Sequence, residues 1–304
     1  MNKIKNFLEN QQLFSSRIVF PEMNSIGCIS AFDGVRANID LISHEDYLTK
    51  INEYLEMALR LEFSKNWSVG VLERYLEAPL HLSMMMIKAD DADHLIAGYS
   101  YEQDDIIRSA IRLIGLANHH RWVFSTSMLI SAETDRKFTF SDCSVIPEPT
   151  PEQLCHIAGE AANCHKLLTG QMPIVAFISF STHGSFSHYR VDKVIKAHSL
   201  FQKKFPNIQA MGEVQIKAAI HGTKDGLDGE LFEEANVFVF PNLDAGNVAY
   251  QLSTSLAGFR SAGSIIHGLN KQITIISKNS EPDEIYYSMV NASKLKGENA
   301  YLQL

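Results

Sequence analysis

From residue 172 onward the chain repeats one pattern: a short apolar run, a polar loop, then a stretch with helical spacing. Pro173-Ile-Val-Ala-Phe-Ile-Ser-Phe180 is almost wholly apolar and rich in β-branched residues. Such a run predicts a strand buried on both faces of a parallel sheet. The loop Ser181-Thr182-His183-Gly184-Ser185 follows, and a helix is expected over residues 189–204. Residues 235–240 predict a second strand, followed by Pro241-Asn242-Leu243-Asp244-Ala245-Gly246-Asn247 and a helix over 248–256. Residues 272–276 predict a third strand, then Ser277-Lys278-Asn279-Ser280 and a helix over 281–292. Ser280 with Asp283 reads as its N-terminal cap, and Pro282 belongs in its first turn. Strand, polar loop and helix in alternation predict an α/β fold.

The first half is less regular. Residues 17–21 read as a short buried strand ended by proline. Residues 45–64 and 68–88 carry apolar positions at helical spacing, and Met84-Met85-Met86 reads as core packing. A further helix is expected from about Asp104-Asp105 through Ile114, with its acidic pair at the positive end of the helix dipole. Another is expected over residues 151–170. It holds Cys155-His156 and Cys164-His165, whose spacing places the two cysteines on roughly opposite faces and argues against a shared metal.

Composition narrows the function classes. The chain has 304 residues, with 27 Lys plus Arg against 35 Asp plus Glu, for a net charge of −8. That balance opposes a broad nucleic-acid face but leaves room for a phosphorylated small molecule held by a few cations. No apolar run approaches the roughly 20 residues of a membrane span, and residues 1–10 lack a signal-like apolar core. The four irregularly spaced cysteines are then read as reduced thiols, and the expected location is the cytoplasm.

In open α/β sheets, ligands bind beyond the carboxyl ends of the strands, where all three polar loops fall. Each loop precedes a helix N-terminus, a favourable place for phosphate or carboxylate, although plain helix capping accounts for the same residues. His183, His188 and His267 read as rim or capping residues. There is no Walker loop, GxGxxG, HExxH or CxxC.

The loops and their neighbours resemble a known family, the phosphate acetyl/butyryl acyltransferases. The family's SFSTKGSA segment is matched by Ser179-Phe-Ser-Thr-His-Gly-Ser185, and its GELQ-x-DAA by Gly212-Glu-Val-Gln-Ile-Lys-Ala-Ala219. Its FPDLNAGNIAYK is matched by Phe240-Pro-Asn-Leu-Asp-Ala-Gly-Asn-Val-Ala-Tyr250, and its FADCAVNPNPT by Phe140-Ser-Asp-Cys-Ser-Val-Ile-Pro-Glu-Pro-Thr150. Order and spacing agree over roughly residues 80–292, whereas residues 1–80 match little beyond Ile18-Val-Phe-Pro-Glu22.

The resemblance implies two α/β domains with an interdomain cleft, similar to isocitrate and isopropylmalate dehydrogenases, and a homodimer. The domains would be residues 1–115 with 273–304, and residues 116–272. The implied reaction is reversible acyl transfer between coenzyme A and inorganic phosphate. Coenzyme A is a co-substrate, and no tightly bound cofactor, metal, nucleic acid or membrane is implied. By the same resemblance Ser277 would meet the carbonyl or phosphate, Lys278 the leaving phosphate, and Glu284 would be the base for the thiol. Arg108, in a segment similar to the family's D-T-L-R, would contact coenzyme A or phosphate. Ser181, Thr182, Gly184, Ser185, Asn242 and Asn247 would complete the substrate and phosphate contacts.

Several positions depart from the family pattern. Lys278 replaces an arginine, keeping the charge and losing the planar fork. A usual N-terminal arginine falls at Glu62, and Tyr99-Ser-Tyr-Glu-Gln-Asp104 adds negative charge beside an anion site. Lys217, Asn242 and Asp244 also differ from the pattern. Ile276-Ser-Lys-Asn-Ser-Glu-Pro-Asp-Glu284 is similar to the butyryl branch, which would favour a longer acyl chain. The alternative expectation is a catalytically weakened relative that binds coenzyme A or a phosphorylated ligand in a regulatory or partner-bound role. A decarboxylating dehydrogenase on the same fold lacks support, because its aspartate and arginine clusters are not found.

Overall fold

The computed structural model describes residues 14–24, 39–118, 120–131, 133–134, 136–222, 233–278 and 280–296. Cys28, Asn279 and residues 223–232 lie outside the described residues. The chain is mixed α/β, and its contacts divide it into two compact units. One comprises residues 6–123 with 262–298, and the other is built around the continuous stretch 124–261.

In the first unit, β1 (Ser16–Val19) pairs in parallel with β2 (Ile39–Ile42) and β3 (His94–Ala97). A 3-10 turn over His44–Lys50 starts from a capping box between Ser43 and Asp46. Three helices follow: α1 (Ile51–Leu59), α2 (Val69–Leu76) and α3 (Pro79–Lys88). Helix α4 (Gln103–Leu113) comes after β3. Two of the single helices expected from periodicity are therefore broken. The first stops at Leu59, where the buried Ser64 hydroxyl donates to the carbonyls of Ala58 (2.7 Å) and Leu61 (2.8 Å). The second breaks at Ala78, which is extended because it precedes Pro79, the first residue of α3. Met84, Met85 and Met86 are wholly buried, as expected of core residues.

In the second unit, β4 (Phe124–Ser131) and β5 (Lys137–Ser141) form an antiparallel pair. Helix α5 (Pro151–Thr169) begins with a Thr150/Gln153 capping box and ends at Gly170, whose φ of 72° closes the helix. Next come β6 (Ile174–Ile178), α6 (Tyr189–Lys204), β7 (Gln209–Val214), α7 (Ile216–His221), β8 (Val237–Val239) and α8 (Leu243–Ser255). The strand order is β4-β5-β8-β6-β7, parallel from β5 onward. Phe138, Phe140, Phe238 and Phe240 fill the core beside β5 and β8 with edge-on ring contacts.

Helix α8 starts five residues before its expected position, because the Asn242 side chain accepts from the Ala245 amide at 3.0 Å and caps it there. Gly246 permits the close approach of α8 to the 142–143 segment, since a Cβ there would lie 2.5 Å from the Asp142 carbonyl oxygen.

β9 (Phe259–His267) leads the chain back into the first unit. There β10 (Ile273–Ile275) lies between β9 and β3, antiparallel to the former and parallel to the latter. Helix α9 (Pro282–Lys296) follows. The strand order of this unit is β2-β1-β3-β10-β9. Buried His94 of β3 shares a 2.8 Å hydrogen bond with Thr274 of β10, and burial lowers its pKa to about 3, so the ring is neutral.

Cys155 and Cys164 are both buried, because α5 is covered on more than one face. Among the described residues no three His, Cys, Asp or Glu side chains gather as a metal-binding set. No described helix is long and apolar enough to cross a membrane.

Glu160 of α5 is buried, and that burial raises its carboxyl from 4.5 to about 7 against a weaker pull from Lys204. A carboxyl with a raised folded-state pKa contributes stability that is complete below 4.5 and lost as pH rises through 7. Glu160→Gln should therefore become more stable than wild type by about 2–3 kcal/mol above neutral pH. Urea unfolding at pH 5 and pH 8 checks this. A gap between variant and wild type that fails to widen with pH would overturn it.

Candidate functional site

Because β1, β3 and β10 are parallel, their carboxyl ends share one edge of the first unit. Three segments leave the strands there: residues 20–22, 98–101 and 276–278. Glu22, nearly buried, organises the second of them. Its carboxylate accepts from the Gly98 amide at 2.9 Å, the Ser100 hydroxyl at 2.9 Å and the Tyr101 amide at 3.1 Å, and also from the Ser100 amide.

Ser277 and Ser280 close the β10–α9 connection as a tight turn. The Ser277 amide donates to the Ser280 hydroxyl, and the Ser280 amide donates back to the Ser277 carbonyl, both at 3.0 Å. The expected Ser280/Asp283 cap is replaced by a different one. Glu281 precedes the helix, and its amide donates to the Glu284 carboxylate at 3.0 Å. Glu284 is the third helical residue, so it supplies the reaching-back half of a capping box.

Lys278 forms an ion pair with Glu102, the residue at the start of α4. The negative charge read from the 99–104 segment is thus in contact with the one cation of the Ser277–Ser280 turn. Arg108 pairs with Asp105 at 3.1 Å on the exposed side of α4. The structure therefore brings Ser277, Lys278 and Glu284 onto one strand-to-helix connection, with Lys278 reaching α4. It aims the Arg108 guanidinium at its own helix.

In the second unit the 181–185 loop is built around Glu213. Buried Ser181 donates its hydroxyl to the Glu213 carboxylate at 2.7 Å, and the Gly184 amide donates to the same oxygen at 2.8 Å. The Ser185 hydroxyl accepts from the Thr182 amide at 3.0 Å and lies 3.1 Å from the Ser181 hydroxyl. The Thr182 hydroxyl accepts from the Gln215 amide at 3.0 Å. An internal carboxylate thus holds part of the donor set that the sequence offered to an external anion.

Asp142 does the same for residues 144–146, and Glu22 for 98–101. Asn242 caps α8, and Asn247 donates to the Cys143 carbonyl at 3.3 Å while accepting from Gln251 at 2.8 Å. Burial pushes the Cys143 thiol up well above its ordinary value, which fits an inert packing role.

A cavity of about 330 Å³ opens at the carboxyl ends of β6 and β8. Ser179, Phe180, Arg190, Lys193, Pro241 and Asn242 line it. Lys193 is held by the Pro241 carbonyl at 2.7 Å and by Glu148. A larger space of about 550 Å³ lies at the opposite, amino-terminal ends of β6 and β7, beside Met172, Phe205 and Lys204. Strand polarity favours the smaller one as a ligand site. The sequence reading missed Arg190 and Lys193. Two cations three residues apart near the start of the helix after a strand-end loop were the available signal.

The model described as phosphate acetyl/butaryl transferase matches residues 5–292. The chain belongs to this family. A phosphate acetyltransferase from Acetivibrio thermocellus is 30% identical over 271 residues, covering 86% of this chain and 82% of that protein. A phosphotransacetylase from Staphylococcus aureus is similar in structure, with a TM-score of 0.78 and 26% identity over 96% of this chain and 98% of its own. A phosphotransacetylase from Streptococcus pyogenes shares the fold at a TM-score of 0.83 and 24% identity, covering 97% and 98%. As a phosphate acetyl/butaryl transferase, the chain is an acyltransferase enzyme. Its reaction is reversible acyl transfer between coenzyme A and phosphate, as the resemblance implied.

Proposed function

We propose that this enzyme transfers acetyl between acetyl phosphate and coenzyme A, with the β10–α9 connection carrying the chemistry. The observation that carries the proposal is the placement of Ser277, Lys278 and Glu284 on one strand end and first helical turn. That position pairs a hydroxyl, an ammonium and a carboxylate within eight residues. Lys278 would leave Glu102 to meet the departing phosphate, which carries more negative charge than one carboxylate. Ser277 would donate to the carbonyl oxygen as it gains charge. Glu284 would take the thiol proton, so that a thiolate attacks the carbonyl carbon and phosphate departs.

The acetyl assignment is supported by the name of the Acetivibrio thermocellus relative, phosphate acetyltransferase. We carry over from the resemblance the two-domain, dehydrogenase-like organisation, the homodimer and the cytoplasmic setting. Ser181, Thr182, Gly184, Ser185, Asn242, Asn247 and Arg108 remain proposed substrate contacts.

The test is thioester formation by the purified chain with acyl phosphates from acetyl to butyryl and branched chains. Acetyl phosphate is expected to give the highest kcat/KM. A preference for butyryl or branched chains would replace the acetyl assignment with the one suggested by the 276–284 segment. Coenzyme A binding with no turnover on any chain would replace it with the weakened-relative reading, which the pairing of Arg108 with Asp105 favours.

A further inference from the structure

Between β6 and α6 the second unit presents four aromatic rings: Phe180, Phe186, His188 and Tyr189. Three are well exposed, with Phe180 at 50%, Phe186 at 59% and Tyr189 at 68% of their full surface. The rings also contact one another. Centroids lie 5.8 Å apart for Phe180 and Phe186, 5.9 Å for Phe180 and His188, and 4.5 Å for His188 and Tyr189. An aromatic surface of this kind left in water marks a place where something docks.

Charge indicates what docks there. The Arg190 guanidinium lies 5.8 Å from the Tyr189 ring centre, and its Nε donates to the Tyr189 hydroxyl at 3.2 Å. It has no ion-pair partner among the described residues. Arg190 and Phe180 both line the 330 Å³ cavity, whose other cation, Lys193, is already paired with Glu148. Rings alone would suit any apolar partner, and cations alone would suit any phosphate. Stacking faces joined to a guanidinium suit a nucleotide, whose base stacks while a phosphate pairs.

We propose that Phe186, Tyr189 and Arg190, with Phe180 beneath them, seat the adenosine-phosphate end of coenzyme A. This rests on the acyltransferase reading above. The arginine that the resemblance assigns to coenzyme A or phosphate is Arg108, which faces Asp105, and another usual arginine is replaced by Glu62.

The test uses the full chain, a Phe186→Ala/Tyr189→Ala double variant and Arg190→Ala. Acetyl transfer from acetyl phosphate is measured to coenzyme A and to pantetheine, a thiol acceptor that lacks the nucleotide. In parallel, adenosine 3′,5′-bisphosphate binding is measured by calorimetry. Each variant should raise KM for coenzyme A about tenfold, leave kcat within about twofold and leave KM for pantetheine unchanged. Each should also weaken bisphosphate binding about tenfold.

Equal effects on coenzyme A and pantetheine would overturn the proposal, as would unchanged KM for both. A change in sedimentation with unchanged bisphosphate binding would overturn it too, and would give the patch to a second protein chain. If the wild-type chain transfers no acetyl but binds the bisphosphate, and the variants weaken that binding about tenfold, the acetyl-transfer reading fails and the nucleotide seat stands. If the variants turn over coenzyme A as wild type does, the seat fails and the acyltransferase reading stands.

Discussion

Lys278→Ala is expected to slow thioester formation by two to three orders of magnitude, with most of the loss in kcat. The leaving phosphate gains charge as the carbon–oxygen bond breaks. A single positioned cation or donor at such a site contributes about 10²–10³ in rate. Lys278 is the one cation of the 277–280 turn, so no neighbour on that turn can replace it. Its pairing with Glu102 does not argue against this role. The lysine side chain is 52% exposed and the glutamate 68%, and an ion pair so exposed contributes little and exchanges readily. Lys278→Arg should retain most of the activity, because the charge persists and the guanidinium adds a fork suited to phosphate. Initial rates at saturating acetyl phosphate and coenzyme A are the measurement. More than half of the wild-type rate in Lys278→Ala would remove Lys278 from the chemistry.

Asp142→Ala is expected to cost about 4 kcal/mol of stability. One oxygen of this buried carboxylate accepts from the Ser125 hydroxyl at 2.5 Å, the Ser125 amide at 3.2 Å, the Ser144 amide at 3.1 Å and the Val145 amide at 3.2 Å. The other accepts from the Ile146 amide at 2.8 Å. Burial pushes its pKa up, while the Ser125 hydroxyl and the amides pull it down. Alanine would leave several half-buried or buried donors with no acceptor, each costing about 1–3 kcal/mol before relaxation and water entry reduce the sum. Asp142→Asn should lose about half as much, since its amide group would face the Ile146 or Ser144 N–H. Urea midpoints at constant slope give the comparison. A loss below about 1 kcal/mol in Asp142→Ala would show that water substitutes freely for the carboxylate.

Some of this was legible in the sequence, and for identifiable reasons. Helix α6 occupies the expected residues, because the apolar run before it and the loop at 181–185 delimit it clearly. Helix α5 was equally clear, with Thr150, Pro151 and Gly170 marking its ends. The break before Pro79 was written in the sequence but masked by continuous apolar spacing on either side. The early start of α8 was hidden because Asn242 belonged to a segment read as ligand loop rather than as cap.

Glu22, Asp142 and Glu213 could not be recognised as organisers of loops from spacing alone. Glu22 holds amides 76 to 79 residues away, and Glu213 holds groups 29 and 32 residues away. Their partners are largely backbone N–H groups, which leave no mark in a sequence. Family motifs located the right segments but did not divide the work within them. Ser181 and Gly184 lie in a matched motif, yet in this structure they bind Glu213.

The placement of β10 between β3 and β9 orders events during synthesis. The unit spanning 124–261 is contiguous and can complete its strand set as soon as it leaves the ribosome. The other unit cannot. Its strands β1 and β3 must wait, with one side of β3 open, until more than 170 further residues have been made and β10 arrives. The unit begun earlier along this stretch is therefore finished later, and the nascent chain carries an unpaired strand edge until β10 emerges.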